Sequence, residues 1–442
     1  MPGIETAEGG VTYGTGDYYN YILNNLFLPS MADAVIYPNT LLKRLPRDST
    51  RVEGKNVVFP IHYDDANGVV SIGADGLLPE PDTEKFAQYA FPVKHTYVRM
   101  KFDGISRDAS RTQIASWLKI VESEAKAKSL IMARAKQRMA WEDGSGRLCE
   151  VATRTSAVLF TCQLNQDIDG ASTCVTSPTR HLKVGKLVAV VDPDGTIATL
   201  GKVESKTATT VTLVSTGSYA AVETVTVKTG DWIVSLSQFL LAANVDSAKD
   251  TAYLNEPMGI MGIVADANAP LVGTGAGQTF QGIDSEVAGN EWHRANVLSN
   301  SNVLRPLTTK LMDLAWTTGI EIGDSVPTVL YGSFPMVREY ADLLVSQRYF
   351  QGTMSFDGGY DAVPYNGVPF FADRDSYNNQ IVFLDETDIR SYVMSDPTWM
   401  DMDGSIYHRV TDKDAYQATM YERCTLGNDE RHRHTKIVDI QE

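Results

Sequence analysis

The sequence of 442 residues predicts an α+β fold, in which helices and strands occupy separate stretches of the chain. One helical pattern runs from about residue 108 to residue 140 without a glycine or a proline. A Val-, Thr- and Gly-rich region from residue 149 to residue 235 carries short strand patterns instead. The two kinds of element do not alternate regularly, which argues against a doubly wound parallel sheet.

The composition is typical of a soluble globular protein, with 43% hydrophobic and 21% charged residues. The formal net charge is −16, and 39 Lys and Arg residues are scattered among 55 Asp and Glu residues. We therefore expect no sequence-specific nucleic-acid binding. The N-terminus lacks a signal-peptide pattern, so we expect no secretion by a classical signal. No apolar run reaches the roughly 18 residues of a membrane helix, so we expect no membrane insertion.

The first 50 residues combine a Gly-, Thr- and Tyr-rich start with a short amphipathic piece from Tyr18 to Ile36, interrupted by Pro29. This piece has too little apolar surface to fold alone, because short helices depend on packing for their stability. We interpret the segment as an arm that lies against another surface.

Residues 51–102 predict two strands, NVVFPIHY (56–63) and FPVKHTYVRMKF (91–102), separated by the excursion ANGVVSIGADGLLPEPDTEK. Ordering this excursion costs about 20–40 kcal/mol of backbone entropy. Burying its aliphatic side chains returns only about 7–15 kcal/mol. We therefore expect its contacts to come from another chain, through a set of apolar residues: Val69, Val70, Ile72, Leu77, Leu78, Pro79, Pro81 and Phe86.

The helical pattern after residue 108 has apolar residues at spacings of three and four. Its predicted core residues are Ile114, Trp117, Leu118 and Val121. A helix of some thirty residues is about 45–50 Å long, which suits a strut along a flattened subunit.

The region from residue 149 to residue 235 predicts a small β-barrel or sandwich, which we interpret as an inserted module. Beyond it, EPMGIMGIVAD (256–266) predicts a strand, and a helix over 308–318 is expected to stop at Gly319. VPTVLYG (326–332) predicts a buried strand, followed by a helix capped by Ser333.

No pattern predicts a catalytic, cofactor or metal site. The glycine run at 273–277 lacks the Lys-Ser/Thr of a P-loop. Asp401 and Asp403 lack the remaining ligands of a calcium loop. His432 and His434 would share one face of a strand and could bind a transition metal there, but we expect a solvated polar terminus.

Two acid pairs keep a hydrolase hypothesis open, namely Asp373 with Asp375 and Asp385 with Asp388. Caps and turns account for such residues equally well. The sequence also lacks the G-x-S-x-G motif of a nucleophile elbow.

The four cysteines have no C-x-x-C spacing, which argues against a zinc site or a disulfide framework. Reduced thiols in the cytosol are the expectation. They are Cys149, Cys162, Cys174 and Cys424.

The order of these parts resembles the major capsid proteins of tailed bacteriophages, whose shell-forming fold is shared with encapsulins. The segments EPMGIMGIVAD, PLTTKLMDLAWTTGIEIGDSVPTVLYGSFPMVREYADLL and YNGVPFFADRDSYNNQIVFLD look like the axial domain of that family. The resemblance implies six parts: an N-terminal arm at 1–50, an extended β-hairpin loop at 51–102, a peripheral domain with a long spine helix at 103–148, the inserted β module at 149–235, an axial domain at 236–384 and the C-terminal part of the peripheral domain at 385–442.

The resemblance implies a structural subunit, not an enzyme, that self-assembles from hexamers and pentamers into an icosahedral capsid around double-stranded DNA. No coiled coil precedes the arm, so a separate scaffolding protein is expected, together with a portal and a decoration protein. The expected location is the virion, after assembly in the cytoplasm of the bacterial host and without a membrane. An encapsulin-like compartment shell and an acid-pair hydrolase remain alternatives.

Overall fold

The computed structural model describes residues 4–5, 12–13, 40–64, 69–73, 77, 83–103, 114–156, 159–163, 166–167, 170–173, 177–214, 227–238, 245–270, 279–346, 354–355, 361–401, 404–410 and 413–441. The helices are α1 (Thr40–Arg44), α2 (Ile114–Met139), α3 (Ser247–Asp250), α4 (Ile260–Ile263), α5 (Thr309–Glu321) and α6 (Phe334–Ser346). Short 3-10 turns lie at Glu291–His293 and Arg431–Arg433.

Strands outnumber helices, and they cluster into separate sheets. In chain order they are β1 (Ile4–Glu5), β2 (Thr12–Tyr13), β3 (Arg47–Asp48), β4 (Val52–Glu53), β5 (Asn56–Asp64), β6 (Lys85–Pro92), β7 (Lys94–Asp103), β8 (Arg147–Arg154), β9 (Leu159–Gln163), β10 (Gln166–Asp167), β11 (Gly170–Thr173), β12 (Leu187–Val191), β13 (Ile197–Lys206), β14 (Thr210–Val214), β15 (Trp232–Ser235), β16 (Asn296–Leu298), β17 (Val329–Gly332), β18 (Met354–Ser355), β19 (Asp361–Tyr365), β20 (Val368–Ala372), β21 (Ile381–Leu384), β22 (Ile389–Trp399), β23 (His408–Arg409), β24 (Ala415–Asn428) and β25 (Thr435–Ile437). The α+β prediction is confirmed.

The hairpin predicted near residue 56 forms, but with a different second strand. β5 pairs antiparallel with β6, from Asn56 opposite Pro92 to Asp64 opposite Lys85. The region predicted as one strand over 91–102 is divided at Val93, and β7 pairs with β24 instead. β7 leaves the hairpin because its inward side chains, including Met100, pack in a different core beside α2.

In the peripheral sheet β24 pairs with three strands, namely β7, β22 and β23, and β22 also pairs with β3. β7 pairs along Ala415–Cys424, whereas β23 and β22 pair with successive parts of β24. Helix α2 covers one face, where Ala125 and Met132 pack against Met100, Ala418 and Met420. The helix has 26 residues and is therefore about 39 Å long. The sequence predicted this helix over residues 108–140. The structure describes it from Ile114, where the described residues resume, to Met139.

Residues 147–235 contain a closed barrel with the order β12-β13-β14-β9-β8-β15. Its interior holds small and branched side chains, including Val151, Val188, Val190 and Val211. Closure pairs every strand of the barrel on both sides, so no sheet edge is left open. The barrel-like module expected from the short Val- and Thr-rich strands is therefore present.

A seven-stranded mixed sheet forms the other large layer, in the order β16-β25-β21-β17-β20-β19-β18. β17 lies at its centre, parallel to β20 and antiparallel to β21. α5 and α6 pack against this sheet through Met312, Ala315, Met336 and Tyr340.

Three local predictions in this region need correction. The segment 256–266 contains the short helix α4 and no strand, because its apolar residues are buried on every side and show no strand alternation. Helix α5 continues through Gly319, which lies against Thr435 and Pro327, so this glycine serves close packing. Ser333 does precede α6, but its side chain does not cap the helix. Its carbonyl accepts a hydrogen bond from the Val337 amide, and its hydroxyl has no hydrogen-bond partner among the described residues.

Among the helices that the structure describes, none is both long and apolar enough to cross a membrane.

Candidate inter-subunit surface

The β5–β6 hairpin is anchored at its base by a cluster of aromatic side chains. Phe59, Tyr89 and Phe91 pack with Tyr392 of β22, which joins the hairpin to the peripheral sheet. The Phe59 and Tyr89 rings meet edge to face with centroids 5.3 Å apart, and Phe91 meets Tyr392 similarly at 5.7 Å. Aromatic pairs of this geometry add stability beyond the area that they bury.

The guanidinium of Arg51 packs against one side of this aromatic cluster. The Arg51 guanidinium lies 4.5 Å from the centroid of the Phe59 ring and donates to Asp429 at 2.6 Å. The base of the hairpin is thus held by packing, a cation–π contact and a charged hydrogen bond.

The second anchor of the hairpin is a buried histidine in the 3-10 turn Glu291–His293. Nε2 of His293 lies 3.0 Å from the Phe280 carbonyl, which can only accept, so the ring carries its proton there. Nδ1 therefore accepts from the Tyr89 hydroxyl at 3.0 Å. Burial, together with the nearby Arg431, lowers the pKa of His293 to about 4.

A further contact lies toward the middle of the hairpin. The Tyr63 ring stacks on Trp292 with centroids 4.7 Å apart and an angle of 13° between the planes. The next residue of the same turn is His293, so one short turn supports both strands of the hairpin.

The connection between β5 and β6 presents apolar side chains to solvent. Val69 is 97% exposed, Leu77 92%, Val70 59% and Ile72 44%, while Phe86 at the start of β6 is 66% exposed. We call these five residues the apolar tip. Leu78, Pro79 and Pro81, which were predicted with them, lie outside the described residues. An anchored base with an exposed apolar tip is the arrangement of a docking element.

The predicted spine-helix core falls partly outside the described residues. Ile114, Trp117, Leu118 and Val121 belong to α2, but the structure does not describe their side chains. In the part of α2 that it describes, Ala125 and Met132 occupy the buried stripe. The four-residue core therefore stays a prediction.

The junction between α2 and the barrel is a buried network of charges that sequence reasoning missed. Arg138 of α2 donates to Glu256 and lies 3.6 Å from Glu142. Arg147 of β8 bonds Glu150 at 2.7 Å and Asp143 at 3.1 Å. Charged groups are buried only when paired in this way.

Burial in this network also affects the protonation of Glu142. Burial raises the pKa of Glu142 to about 8, although Arg138 opposes the shift. The pairs within residues 138–150 have local i,i+3 and i,i+4 spacings, but Glu256 lies far along the chain from Arg138, so its place in the network has no local signal.

The two acid pairs of the hydrolase hypothesis are both engaged in structural bonds. Asp375 accepts from Arg180 at 2.6 Å, which ties the barrel side to the seven-stranded sheet. Asp385 accepts from Ser325 and Thr387, both at 2.7 Å. Asp388 lies 3.1 Å from Nε2 of the buried His434. These contacts are those of turns and layer junctions.

The interpretation of the C-terminal histidines is wrong. Residues 431–433 form a 3-10 turn, so His432 and His434 do not alternate along a strand. The terminus is also not solvated, because Arg431, His434, Lys436 and Asp439 are fully buried. Arg431 donates to the carbonyls of Ile263 and Gly262 at 2.7 and 2.8 Å, which ties the terminus to α4.

Further predictions from the sequence concern metals, a glycine run and the cysteines. Within the described residues no cluster of His, Cys, Asp and Glu could hold a metal ion. Residues 273–277 and Asp403 lie outside those residues. Cys149, Cys162 and Cys424 are free and buried, and Cys174 is not among the described residues.

Sequence reasoning also missed the anchors of the hairpin. The stretch KFAQYAFP does show a strand alternation, with Ala87, Tyr89 and Phe91 turned toward the core. That alternation was the signal that could have identified β6. His293 had no such signal, because it is isolated in the sequence.

No protein-family model matches the chain, and no curated protein sequence does. Solved structures that it resembles over most of its length include phage capsid proteins. One is the capsid asymmetric unit of cyanophage A-1(L), at 10% identity and a TM-score of 0.47, covering 91% of this chain and 93% of that one. Another is the procapsid of satellite phage P4, at 10% identity and a TM-score of 0.40, covering 93% and 89%.

A holo-SrpI encapsulin complex from Synechococcus elongatus PCC 7942 matches a smaller part. It shares 10% identity at a TM-score of 0.26 and covers 33% of this chain and 53% of that chain. All three TM-scores lie below 0.5.

Proposed function

We propose that this chain is a structural subunit that self-assembles into an icosahedral capsid enclosing double-stranded DNA. The observation that carries the proposal is the β5–β6 hairpin, whose base is buried in an aromatic cluster and whose apolar tip is exposed. Such a tip gains stability only by contact with another surface, and the same surface on every copy makes an assembly.

The energetics favour a contact between copies. Fully burying a Val, Leu, Ile or Phe side chain is worth about 1.5–3 kcal/mol, and the apolar tip contributes five such residues. One tip therefore supplies enough for a specific contact but not for an isolated tight dimer, after the cost of association is subtracted. A closed shell repeats the contact around each subunit, which adds avidity.

In this proposal the rigid parts and the adaptable part are distinct. The barrel, the peripheral sheet with α2 and the seven-stranded sheet would form the body of hexamers and pentamers. The connection between β5 and β6 would adjust to neighbours at slightly different angles. We retain the six-part division into arm, extended loop, peripheral domain, inserted β module, axial domain and C-terminal part as a further element of the proposal.

Partners and location follow from the same proposal. A separate scaffolding protein would set the shell size during assembly in the host cytoplasm, and a portal would occupy one vertex of the virion. A decoration protein would bind the finished surface. The chain would act by assembly and not as an enzyme.

The test replaces residues 66–83 by Asn-Gly, which supports a tight hairpin turn and keeps the pairing of Asp64 with Lys85. We expect this variant to fold with an unchanged far-ultraviolet circular dichroism spectrum and to form no particles by electron microscopy. The wild-type chain, expressed with its scaffold, should form particles. A finer variant, Val69→Ser with Leu77→Ser, should weaken assembly in the same direction.

The control is Val184→Ser, which removes an apolar side chain that is 66% exposed on the barrel side. We expect it to assemble as the wild type does. Particles of normal number from the Asn-Gly variant, or an unfolded subunit, would contradict the role of the hairpin. A co-purifying enzyme inside the particles and no DNA would instead favour the compartment shell.

A further inference from the structure

The face of the peripheral sheet that points away from α2 carries a group of cations. On β7 the side chains of His95, Tyr97, Arg99 and Lys101 are exposed, and they alternate with inward residues such as Met100. On β24 the same alternation directs Tyr421 and Arg423 to this face, while Met420 and Glu422 are buried on the other. Alternation along neighbouring strands thus assembles one surface from two distant segments.

The pairing register places these residues side by side. His95 lies opposite Arg423, Tyr97 opposite Tyr421, and Arg99 opposite Thr419. Successive side chains on one face of a strand are about 6.8 Å apart. We call the surface formed by His95, Tyr97, Arg99, Lys101, Tyr421 and Arg423 the cationic face.

The positive charges on this face are not neutralised within the described part of the chain. Arg99, Lys101 and Arg423 have no ion-pair partner there. Glu422 points to the opposite face, where it bonds Lys136 of α2 at 2.5 Å. Asp396 of the neighbouring β22 is bonded by Arg47.

The charged groups around His95 agree with this arrangement. Its pKa is lowered first by burial and then by Arg423, Lys94 and Lys55, all of which are cationic. A histidine whose charged neighbours are all positive lies in a positive field. The field is local, since the whole chain carries a net charge of −16.

We propose that the cationic face binds the phosphate backbone of double-stranded DNA without sequence specificity. Phosphates rise by 3.4 Å of helix axis per nucleotide on each DNA strand and also wind around the axis, so cations about 6.8 Å apart can contact more than one phosphate of a backbone. Tyrosine hydroxyls are also common phosphate donors. The proposal deepens the proposed function, because it would assign this sheet face to the DNA-facing side of the shell.

The geometry favours duplex DNA over a single strand. The Tyr97 and Tyr421 rings lie 6.4 Å apart, and the Arg423 guanidinium lies 4.9 Å from the Tyr421 ring. Their ring faces are thus partly occupied by each other and by Arg423, whereas single-strand binding uses free aromatic faces on which bases stack.

The expected binding is weak and strongly dependent on salt. Neutralising about three phosphates gives a slope of about −2.7 for log K against log salt concentration. Affinity should therefore fall about 40-fold between 50 and 200 mM salt. Each copy would hold DNA loosely, which is compatible with dense and mobile packing.

The experiment measures the anisotropy of a labelled random-sequence duplex titrated with full-length subunit, under conditions where light scattering detects no particles. The test variant is Arg99→Gln with Lys101→Gln, whose affinity should fall only about 3- to 4-fold over the same salt range. The matched control Lys249→Gln removes an exposed cation from α3 and should retain the wild-type salt dependence. Unchanged thermal melting confirms that each variant is folded.

Equal salt dependence in the test variant and the wild type would overturn the proposal, as would the absence of duplex binding at 20 mM salt. Tighter binding of oligo(dT), lost in Tyr97→Ala, would assign the face to single strands instead. Unchanged duplex binding with lost assembly would assign it to a contact between copies. Particle formation is scored on the same samples, so a failure of this proposal is distinguishable from a failure of the proposed function.

Discussion

The hydroxyl of Tyr89 donates a hydrogen bond of 3.0 Å to Nδ1 of His293, and both side chains are fully buried. This bond joins β6 to the 3-10 turn Glu291–His293, two elements separated by some 200 residues of chain. It therefore fixes the base of the hairpin against the body of the subunit.

Removing this hydroxyl should destabilise the subunit. Tyr89→Phe leaves Nδ1 of His293 buried without a donor, which costs about 1–3 kcal/mol. The free energy of unfolding in urea measures the loss. Tyr63→Phe is the control, because the Tyr63 ring stacks on Trp292 and its hydroxyl has no hydrogen-bond partner among the described residues. Equal stability of Tyr89→Phe and the wild type would show that the bond does not anchor the hairpin.

The stability of the subunit should fall as the pH falls from about 6.5 to about 4. The folded state holds His293 neutral, with a pKa of about 4, whereas the unfolded chain takes up the proton near its usual value of 6.5. The contribution is thus complete above pH 6.5 and is lost by pH 4, and it amounts to roughly 3 kcal/mol.

Urea unfolding at pH 7.0 and pH 4.5 measures this loss in the wild type and in His293→Gln. Glutamine does not titrate, so the variant should lose less stability between the two pH values. An identical loss in both proteins would rule out His293 as the group responsible.

The buried ion network predicts a large effect for Arg138→Met. The substitution leaves Glu142 and Glu256 buried without this cation, and breaking such a pair costs about 3–5 kcal/mol. Thermal unfolding followed by circular dichroism measures the change. Lys228→Met, which breaks the exposed pair with Asp192, should leave the melting temperature unchanged. Similar melting temperatures for both variants would contradict a structural role for the network.

Gly146 should tolerate alanine less well than Gly230 does. Both glycines have positive φ, at +82° and +93°, so both substitutions incur the cost of about 1–2 kcal/mol for the left-handed region. A Cβ at Gly146 would additionally lie 2.0 Å from the Ala252 carbonyl oxygen, whereas one at Gly230 meets nothing within 4 Å. Gly146→Ala should therefore have the lower free energy of unfolding, and equal values would contradict this close approach.

Local patterns were sufficient for much of the fold. The long helix, the barrel strands, the first hairpin strand and the positions of α5 and α6 follow from spacings within about ten residues. The errors lie where neighbours far along the chain decide the outcome. Helix α5 continues past Gly319, which packs against Thr435, and the segment 256–266 contains the short buried helix Ile260–Ile263 where a strand was predicted.

The candidate inter-subunit surface also has one part that the sequence shows and one part that only distant contacts decide. The excess of apolar residues in the β5–β6 connection is visible in the sequence, because an entropy estimate needs only composition. The alternation of β6 marks Tyr89 as a core position, but that Tyr89, His293 and Arg51 anchor one hairpin is not visible, because the three lie far apart in the chain. The pairing of β7 with β24 likewise joins segments more than 300 residues apart.

By itself, the sequence determined the α+β class, a β module of barrel or sandwich type, the long helix and an excursion rich in apolar residues, since these depend on local periodicity and composition. Only the tertiary structure decided which strand completes the hairpin, where the charges of α2 are neutralised, and that cations scattered along an acidic chain meet on one sheet face. The physical reason is that the pairing of β7 with β24 and ion pairs such as Arg138–Glu256 join distant segments, and no local spacing encodes contacts of that kind.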